Sequence, residues 1–107
     1  MNAYDQRQLR LMIDKINRFK KDTISLRFLI DDLNGLLEVL EESDDNWKRQ
    51  FRIFWADLEI TYAVALFKEK KVLDAQDVVR IDNAIENILT LIQEKLPPQS
   101  EKDSEDQ

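Results

Sequence analysis

The sequence WKRQFRIFWADLEITYAVAL, residues 47–66, decides the fold class of this chain. It contains both tryptophans and only two charged side chains after Arg52. Its apolar residues recur every three or four positions, which is the period of a helix. They form a main stripe of Trp47, Phe51, Phe54, Trp55, Leu58, Tyr62 and Leu66, and a second stripe of Ile53, Ile60, Val64 and Phe67. A helix that is apolar on several sides is buried on several sides, so this pattern predicts the central helix of a small bundle.

Two further helices are predicted before this stretch. The first spans residues 3–20, with apolar side chains along one face. The second follows the capping oxygen of Ser25 and continues to about Glu42, because its leucines step by three and four. Gly35 interrupts that leucine pattern at a cost of about 1 kcal/mol in a continuous helix. We therefore expect a reason for Gly35, such as the close approach of a neighbour.

The long helix itself and a fourth helix complete the predicted fold. Residues 43–45 can cap the long helix, which is predicted over residues 46–70. Asp74 and Asp77 have the spacing of a capping arrangement that opens a fourth helix, and Pro97-Pro98 ends it. The sequence thus predicts an all-α fold, an antiparallel four-helix bundle with a long third helix.

The residue types present exclude much familiar chemistry. The chain has no cysteine and no histidine, which rules out disulfides, cysteine nucleophiles, His-based triads and the usual zinc sites. These absences remove most of the chemistry of small enzymes, and we assign no catalytic residue, no metal-binding residue and no cofactor.

Length and hydropathy predict one domain in the cytoplasm. A chain of 107 residues has room for a single core, predicted over residues 1–96. The acidic segment 97–107 lacks apolar anchors, so it is predicted to be a disordered tail. Residues 1–23 show no signal-peptide pattern, and no segment approaches the roughly 20 apolar residues of a membrane helix.

Charge is concentrated in one part of the chain. Residues 22–46 carry eight acidic and one basic side chain, whereas the segments 1–21 and 47–71 are both basic and the whole chain has a net charge of −6. Such an acidic block suits a basic protein partner rather than nucleic acid or an anionic membrane. The alternative is that the block pairs with the two basic segments inside the bundle.

The second helix is chemically divided on its outer side. At 100° per residue, Asp31, Glu38 and Glu42 lie opposite the leucines and form an acidic ridge. Phe28 and Val39 lie on the other flank, where they either pack against a second neighbour or form an exposed apolar anchor. Core packing is the commoner explanation for Phe28.

Acidic residues elsewhere have competing explanations. Glu38 and Glu41 have the E-x-x-E spacing that binds magnesium in helical nucleotide pyrophosphatases, but such sites need a second acidic pair, and capping already explains the nearest candidates. A solvated acidic face is the default for this pair. Asp57 and Glu59 fall on the long helix, which we expect to be enclosed. At least one of them should therefore meet an arginine, with Arg27, Arg52 and Arg80 as candidates.

Several spaced segments together resemble one protein family. The segments are L-I-D-D-L at residues 29–33, L-E at residues 37–38, D-D-N-W-K-x-x-F at residues 44–51 and W-A-D-L-E-I-T-Y-A-V-A-L at residues 55–66. They resemble small helical immunity proteins of bacterial polymorphic toxin systems, of which contact-dependent growth inhibition is the best known, over about residues 24–82. The resemblance implies a non-enzymatic protein that neutralises the toxic C-terminal domain, often a nuclease, of a cognate effector.

The binding surface is predicted from local chemistry, because family members diverge most where they meet their toxins. The resemblance itself therefore implies the scaffold better than the contact surface. We expect six carboxylates to face toxin Lys and Arg residues, with Trp47 as an apolar anchor: Asp31, Asp32, Glu38, Glu41, Glu42 and Asp45. Two alternatives stay open, a magnesium-dependent nucleotide pyrophosphatase and a helical adaptor or oligomerisation domain. No nucleic-acid or membrane partner is expected, and the oligomeric state is left open.

Overall fold

The structure, a computed structural model, describes residues 2–42 and 44–97. Its helices are α1 (Ala3–Lys20), α2 (Leu26–Glu38), α3 (Asp45–Phe67) and α4 (Ala75–Lys95). Between residues 2 and 97, leaving aside position 43, no strand is present. The predicted all-α fold is therefore confirmed. Ser43 and the predicted tail beyond residue 97 lie outside the described residues.

The four helices form a closed ring around one core. α1 packs against α2 and α4, and α3 packs against the same two helices from the opposite corner. Each helix directs one face inward, as the three-and-four spacing predicted. The fully buried side chains include Leu9, Met12, Ile16, Leu29, Ile30, Leu33, Leu37, Phe51, Leu58, Ile85, Ile88 and Ile92. α3 is therefore one wall of an antiparallel bundle and not an enclosed central helix.

Both tryptophans of α3 tie it to its neighbours. The indole N–H of Trp47 donates to the carbonyl of Leu91 in α4 at 3.0 Å, and that of Trp55 donates to the carbonyl of Ile30 in α2 at 2.9 Å. The rings of Trp47 and Phe51 also pack together, with centroids 5.5 Å apart. A buried tryptophan needs an acceptor for its N–H, and the two carbonyls provide one for each ring.

The last two helices begin at aspartates. The Asp44 carboxylate accepts the Trp47 N–H at 2.7 Å and starts α3. Asp74 and Asp77 exchange backbone-to-side-chain hydrogen bonds of 2.9 and 3.3 Å, so the predicted capping arrangement of α4 is confirmed. Lys70 binds both of these carboxylates at 2.8 Å.

α2 ends at Glu38, four residues before the predicted end. The cause is Asp5 of α1, whose side chain is fully buried. Its two carboxylate oxygens accept the backbone N–H groups of Glu41 and Glu42 at 2.8 and 2.7 Å. A carboxylate that is satisfied by two backbone donors holds the chain in a non-helical course here, while Leu40 turns into the core.

Gly35 has no neighbour that would require a glycine. It is exposed in the interior of α2, its φ is not positive, and a Cβ added there would meet no atom within 4 Å. The expected close approach inside the bundle is therefore wrong. The fold itself does not explain why this position forgoes the side chain that would favour a helix.

Candidate functional site

The outward side of α2 combines apolar and acidic residues on one strip. We call the strip formed by Phe28, Asp31, Gly35, Glu38 and Val39 the α2 face. Phe28 is 60% exposed and Val39 44% exposed, one on each side of Gly35. The preference for core packing of Phe28 is therefore wrong, because no other helix of the ring covers this side of α2. An aromatic ring beside carboxylates is available for contact with another molecule.

The chain after α2 adds more carboxylates at the same end of the bundle. Glu41 and Glu42 are exposed in the segment that joins α2 to α3, and Asp45 is exposed at the first position of α3; we call these three residues the acidic corner. The buried Asp5 fixes the backbone of the first two, and Asp44 fixes the start of α3. The carboxylates of the acidic corner therefore project from an anchored backbone.

Three of the six predicted carboxylates have polar neighbours within the chain. Asp31 accepts two hydrogen bonds from Arg27 at 2.7 and 3.1 Å. Asp32 is half-buried and lies 3.3 Å from the ammonium of Lys15. Glu41 accepts a hydrogen bond from the Asn2 amide at 3.2 Å. Of these contacts, only that of Lys15 with Asp32 joins the acidic block to a basic segment, so the alternative in which the segments pair is supported at one position.

The other three carboxylates differ from these among the residues that the structure describes. Within residues 2–42 and 44–97, no Lys or Arg forms an ion pair with Glu38, Glu42 or Asp45. Their side chains are exposed, and no cation of the described residues compensates their charges. A basic partner would find its strongest attraction here, since charges that are already paired contribute less to a new contact.

Trp47 does not belong to this surface. Its side chain is only 4% exposed, because the third position of α3 points into the core. The prediction of Trp47 as an apolar anchor is therefore wrong. Phe28 is the exposed aromatic residue of the α2 face, and exposure was the less favoured of the two alternatives that its position in the sequence left open.

Asp44 and Asp74 have perturbed acidity. Hydrogen bonding from the Trp47 N–H, assisted by Lys95, holds the pKa of Asp44 below its usual range. Hydrogen bonding from Lys70 and from the Asp77 N–H lowers the pKa of Asp74, and hydrogen bonding to the carboxylates of Asp74 and Asp77 raises the pKa of Lys70. Each shift comes from a contact that starts a helix, so these groups hold the fold and do not mark a reaction centre.

The geometry does not bring the E-x-x-E pair together on one helix. Glu38 is the last residue of α2, whereas Glu41 lies in the acidic corner with its backbone bound to Asp5. Among the described residues, no group of three or more acidic side chains is placed to hold a metal ion. No helix in that part of the chain has the length and apolar character needed to cross a membrane.

The outward side of α3 is apolar and exposed. Ile53, Ile60 and Phe67 are 58%, 56% and 87% exposed, so the expectation that the second stripe is buried is wrong. Asp57 and Glu59 are also exposed, and no arginine forms an ion pair with either within the described residues. All five residues are exposed because α3 is a wall of the ring and its outward side has no neighbouring helix. The two carboxylates remain hydrated there, so they need no arginine partner.

Asp5 is the residue of this site that sequence analysis missed. An acidic residue in the first turn of a helix ordinarily stabilises the positive end of the helix dipole, so Asp5 carried no separate signal. Only its contact with a segment 36 residues away distinguishes it.

Comparison of the chain with protein-family models, with curated proteins and with solved structures finds no match.

Proposed function

We propose that this chain is an immunity protein that binds and neutralises the toxic C-terminal domain of a bacterial effector. In this proposal the α2 face and the acidic corner contact a basic surface of the toxin. The observation that carries it is that Glu38, Glu42 and Asp45 have no cation partner among the described residues and lie at or beyond the C-terminal end of a helix whose outward side exposes Val39 beside Glu38 and, nearer its start, Phe28. Interfaces of high affinity commonly combine an aromatic anchor with charges of the opposite sign to those of the partner.

Inhibition would follow from occupation of the toxin's substrate site. A nuclease binds the phosphates of its substrate with Lys and Arg side chains. Carboxylates held on an anchored backbone can form charge-assisted hydrogen bonds with the same side chains. The immunity protein would therefore exclude RNA or DNA from the cleft without any reaction of its own, in the cytoplasm of the cell that makes the toxin.

Gly35 adds support that is independent of charge. A glycine in an exposed helix interior costs about 1 kcal/mol relative to alanine, and nothing inside this bundle requires it. A bare backbone does allow another molecule to approach α2 closely between Phe28 and Val39. An interaction at the α2 face therefore accounts for a residue that the fold leaves unexplained.

The proposal predicts a large effector encoded immediately upstream, and it is tested with the C-terminal domain of that effector. Isothermal titration calorimetry should show tight 1:1 binding by the wild-type chain and loss of the toxin's activity. The double variant Glu38→Lys and Glu42→Lys should bind at least about 100-fold more weakly, because two attractions become repulsions. Absence of binding by the wild-type chain would refute the proposal.

A matched control separates this surface from net charge. Asp82 on α4 and Glu69, which follows the C-terminal end of α3, are exposed carboxylates away from both the α2 face and the acidic corner. Asp82→Lys with Glu69→Lys changes the net charge by the same amount, and its affinity should stay within about threefold of wild type at moderate salt. Equal losses in both double variants would mean that long-range charge and not the α2 face determines binding.

A further inference from the structure

The outward side of α3 carries a regular apolar pattern. The large residues Ile53, Ile60 and Phe67 are spaced by seven, and Ala56 and Ala63 lie between them at the intermediate positions. We call these five residues the α3 seam. Their spacing is that of the a and d positions of a coiled coil, the pattern by which two helices pack along their length. None of the five residues is buried, so no helix of the described residues packs against the α3 seam as a coiled-coil partner would.

The exposed apolar side chains of the α3 seam are contiguous and not scattered. The α3 seam extends for about 21 Å along the helix at 1.5 Å per residue. Val64 and Leu66 flank it and are 40% and 59% exposed. Scattered apolar side chains are normal on a protein surface, whereas a contiguous strip of this length marks an interaction site.

We propose that the α3 seam pairs with the α3 seam of a second copy of this chain, in antiparallel orientation. Antiparallel alignment places Ile53 against Ala63 of the second copy and Ile60 against Ala56. The same alignment places Phe67 beside Arg49 of the second copy, where a guanidinium over an aromatic ring is favourable. Each layer thus combines a large with a small side chain, as close helix packing requires.

A second copy fits better than an unrelated helix for a reason of symmetry. In a dimer with a twofold axis, each pair of facing residues occurs twice, once on either side of the axis. The alternation of large and small residues along one helix is therefore enough to make the two copies complementary. A parallel pair would oppose alanine to alanine and leave those layers unfilled. α2 and α3 are adjacent walls of the ring, so the dimer leaves the α2 face accessible.

Charges near the axis limit the affinity of this dimer. The twofold axis passes at the level of Leu58, so Asp57 and Glu59 each lie near the same residue of the other copy. Like charges at this distance repel and are screened by salt. The dimer should therefore form at high protein concentration and become tighter, not weaker, as salt is added.

Sedimentation velocity of the full chain tests the proposal. We expect conversion from monomer to dimer between about 10 μM and about 1 mM, at concentrations typical of a small interface. Asp57→Asn with Glu59→Gln should tighten association several-fold by removing the repulsion. Ile60→Glu and, separately, Ala63→Glu should weaken it about tenfold or more, because each places a charge in the α3 seam.

The controls keep the outcome interpretable. Ile60 and Ala63 are both exposed, so circular dichroism should show that each variant keeps its helices. Phe28→Ser on the α2 face should leave the dimer unchanged. The proposal is overturned if wild type and the Asp57→Asn, Glu59→Gln variant are both monomeric throughout. It is equally overturned if Phe28→Ser and not Ile60→Glu abolishes the dimer.

Discussion

The outward faces of α2 and α3 differ in chemistry although both helices pack against one core. The α2 face has an exposed glycine between apolar residues and carboxylates, of which Glu38 has no ion pair among the described residues, and the α3 seam has large exposed apolar residues alternating with alanines. The core determines which residues face inward and makes no demand on either outward face. Residues on these outward faces that cost stability or expose apolar area are therefore best explained by contacts with other molecules. We infer a basic toxin for the α2 face and a second copy for the α3 seam.

The largest effect should come from removing the residue that anchors the acidic corner. Asp5→Ala leaves the N–H groups of Glu41 and Glu42 without acceptors, and we expect about 3 kcal/mol loss of unfolding free energy. Urea denaturation measures the change. Asp5→Asn keeps one acceptor oxygen and should lose less. Without urea, where the Asp5→Ala variant is folded, its toxin binding should be weaker than that of wild type. Its dimerisation through the α3 seam should persist. An Asp5→Ala variant as stable as wild type would contradict this role.

The inner faces of the helices could be predicted from sequence, and the outer faces could not. Leu29, Leu33 and Phe51 are buried as their helical period predicted, because one core must collect one face of each helix. Periodicity does not reveal whether a second neighbour exists, so burial was wrongly predicted for Ile60 and wrongly preferred for Phe28.

The candidate site was predictable in part for a similar reason. Glu38, Glu42 and Asp45 were placed on the surface because helical periodicity puts them opposite the leucines of α2 or beside that position, and they are exposed. Trp47 belongs to the main apolar stripe of α3 and was misassigned because a residue near the start of a helix was expected to be partly exposed. Asp5 required knowledge of a contact between distant segments.

A smaller change in unfolding free energy should distinguish Gly35 of the α2 face from Ala63 of the α3 seam. Gly35→Ala should raise the unfolding free energy by about 1 kcal/mol, because helix propensity improves and a Cβ there meets no atom. The same variant should bind toxin more weakly if α2 is approached closely. Ala63→Gly should lower stability by a similar amount, and urea denaturation measures both. A destabilised Gly35→Ala variant would show that α2 needs its glycine for folding.

Acid should affect the two halves of the bundle unequally. α3 and α4 begin at Asp44 and Asp74, whose pKa values are lowered in the folded chain, whereas α2 begins at the uncharged Ser25. A lowered folded pKa gives stability that is complete above the unfolded value and is lost as pH falls through the folded value. Amide exchange followed by NMR below about pH 4 should show the first turns of α3 and α4 opening before that of α2. Asp44→Asn should remove the pH dependence at α3. Uniform opening would contradict this account.

Hydrogen–deuterium exchange of the chain with the upstream effector's C-terminal domain tests the central claim most directly. At low protein concentration, where the chain is monomeric, bound toxin should slow exchange in α2 and the acidic corner, residues 26–45. Exchange in the exposed half of α3, residues 53–67, should change little. Protection confined to residues 53–67, with residues 26–45 unchanged, would contradict the assignment of the α2 face as the toxin-binding surface.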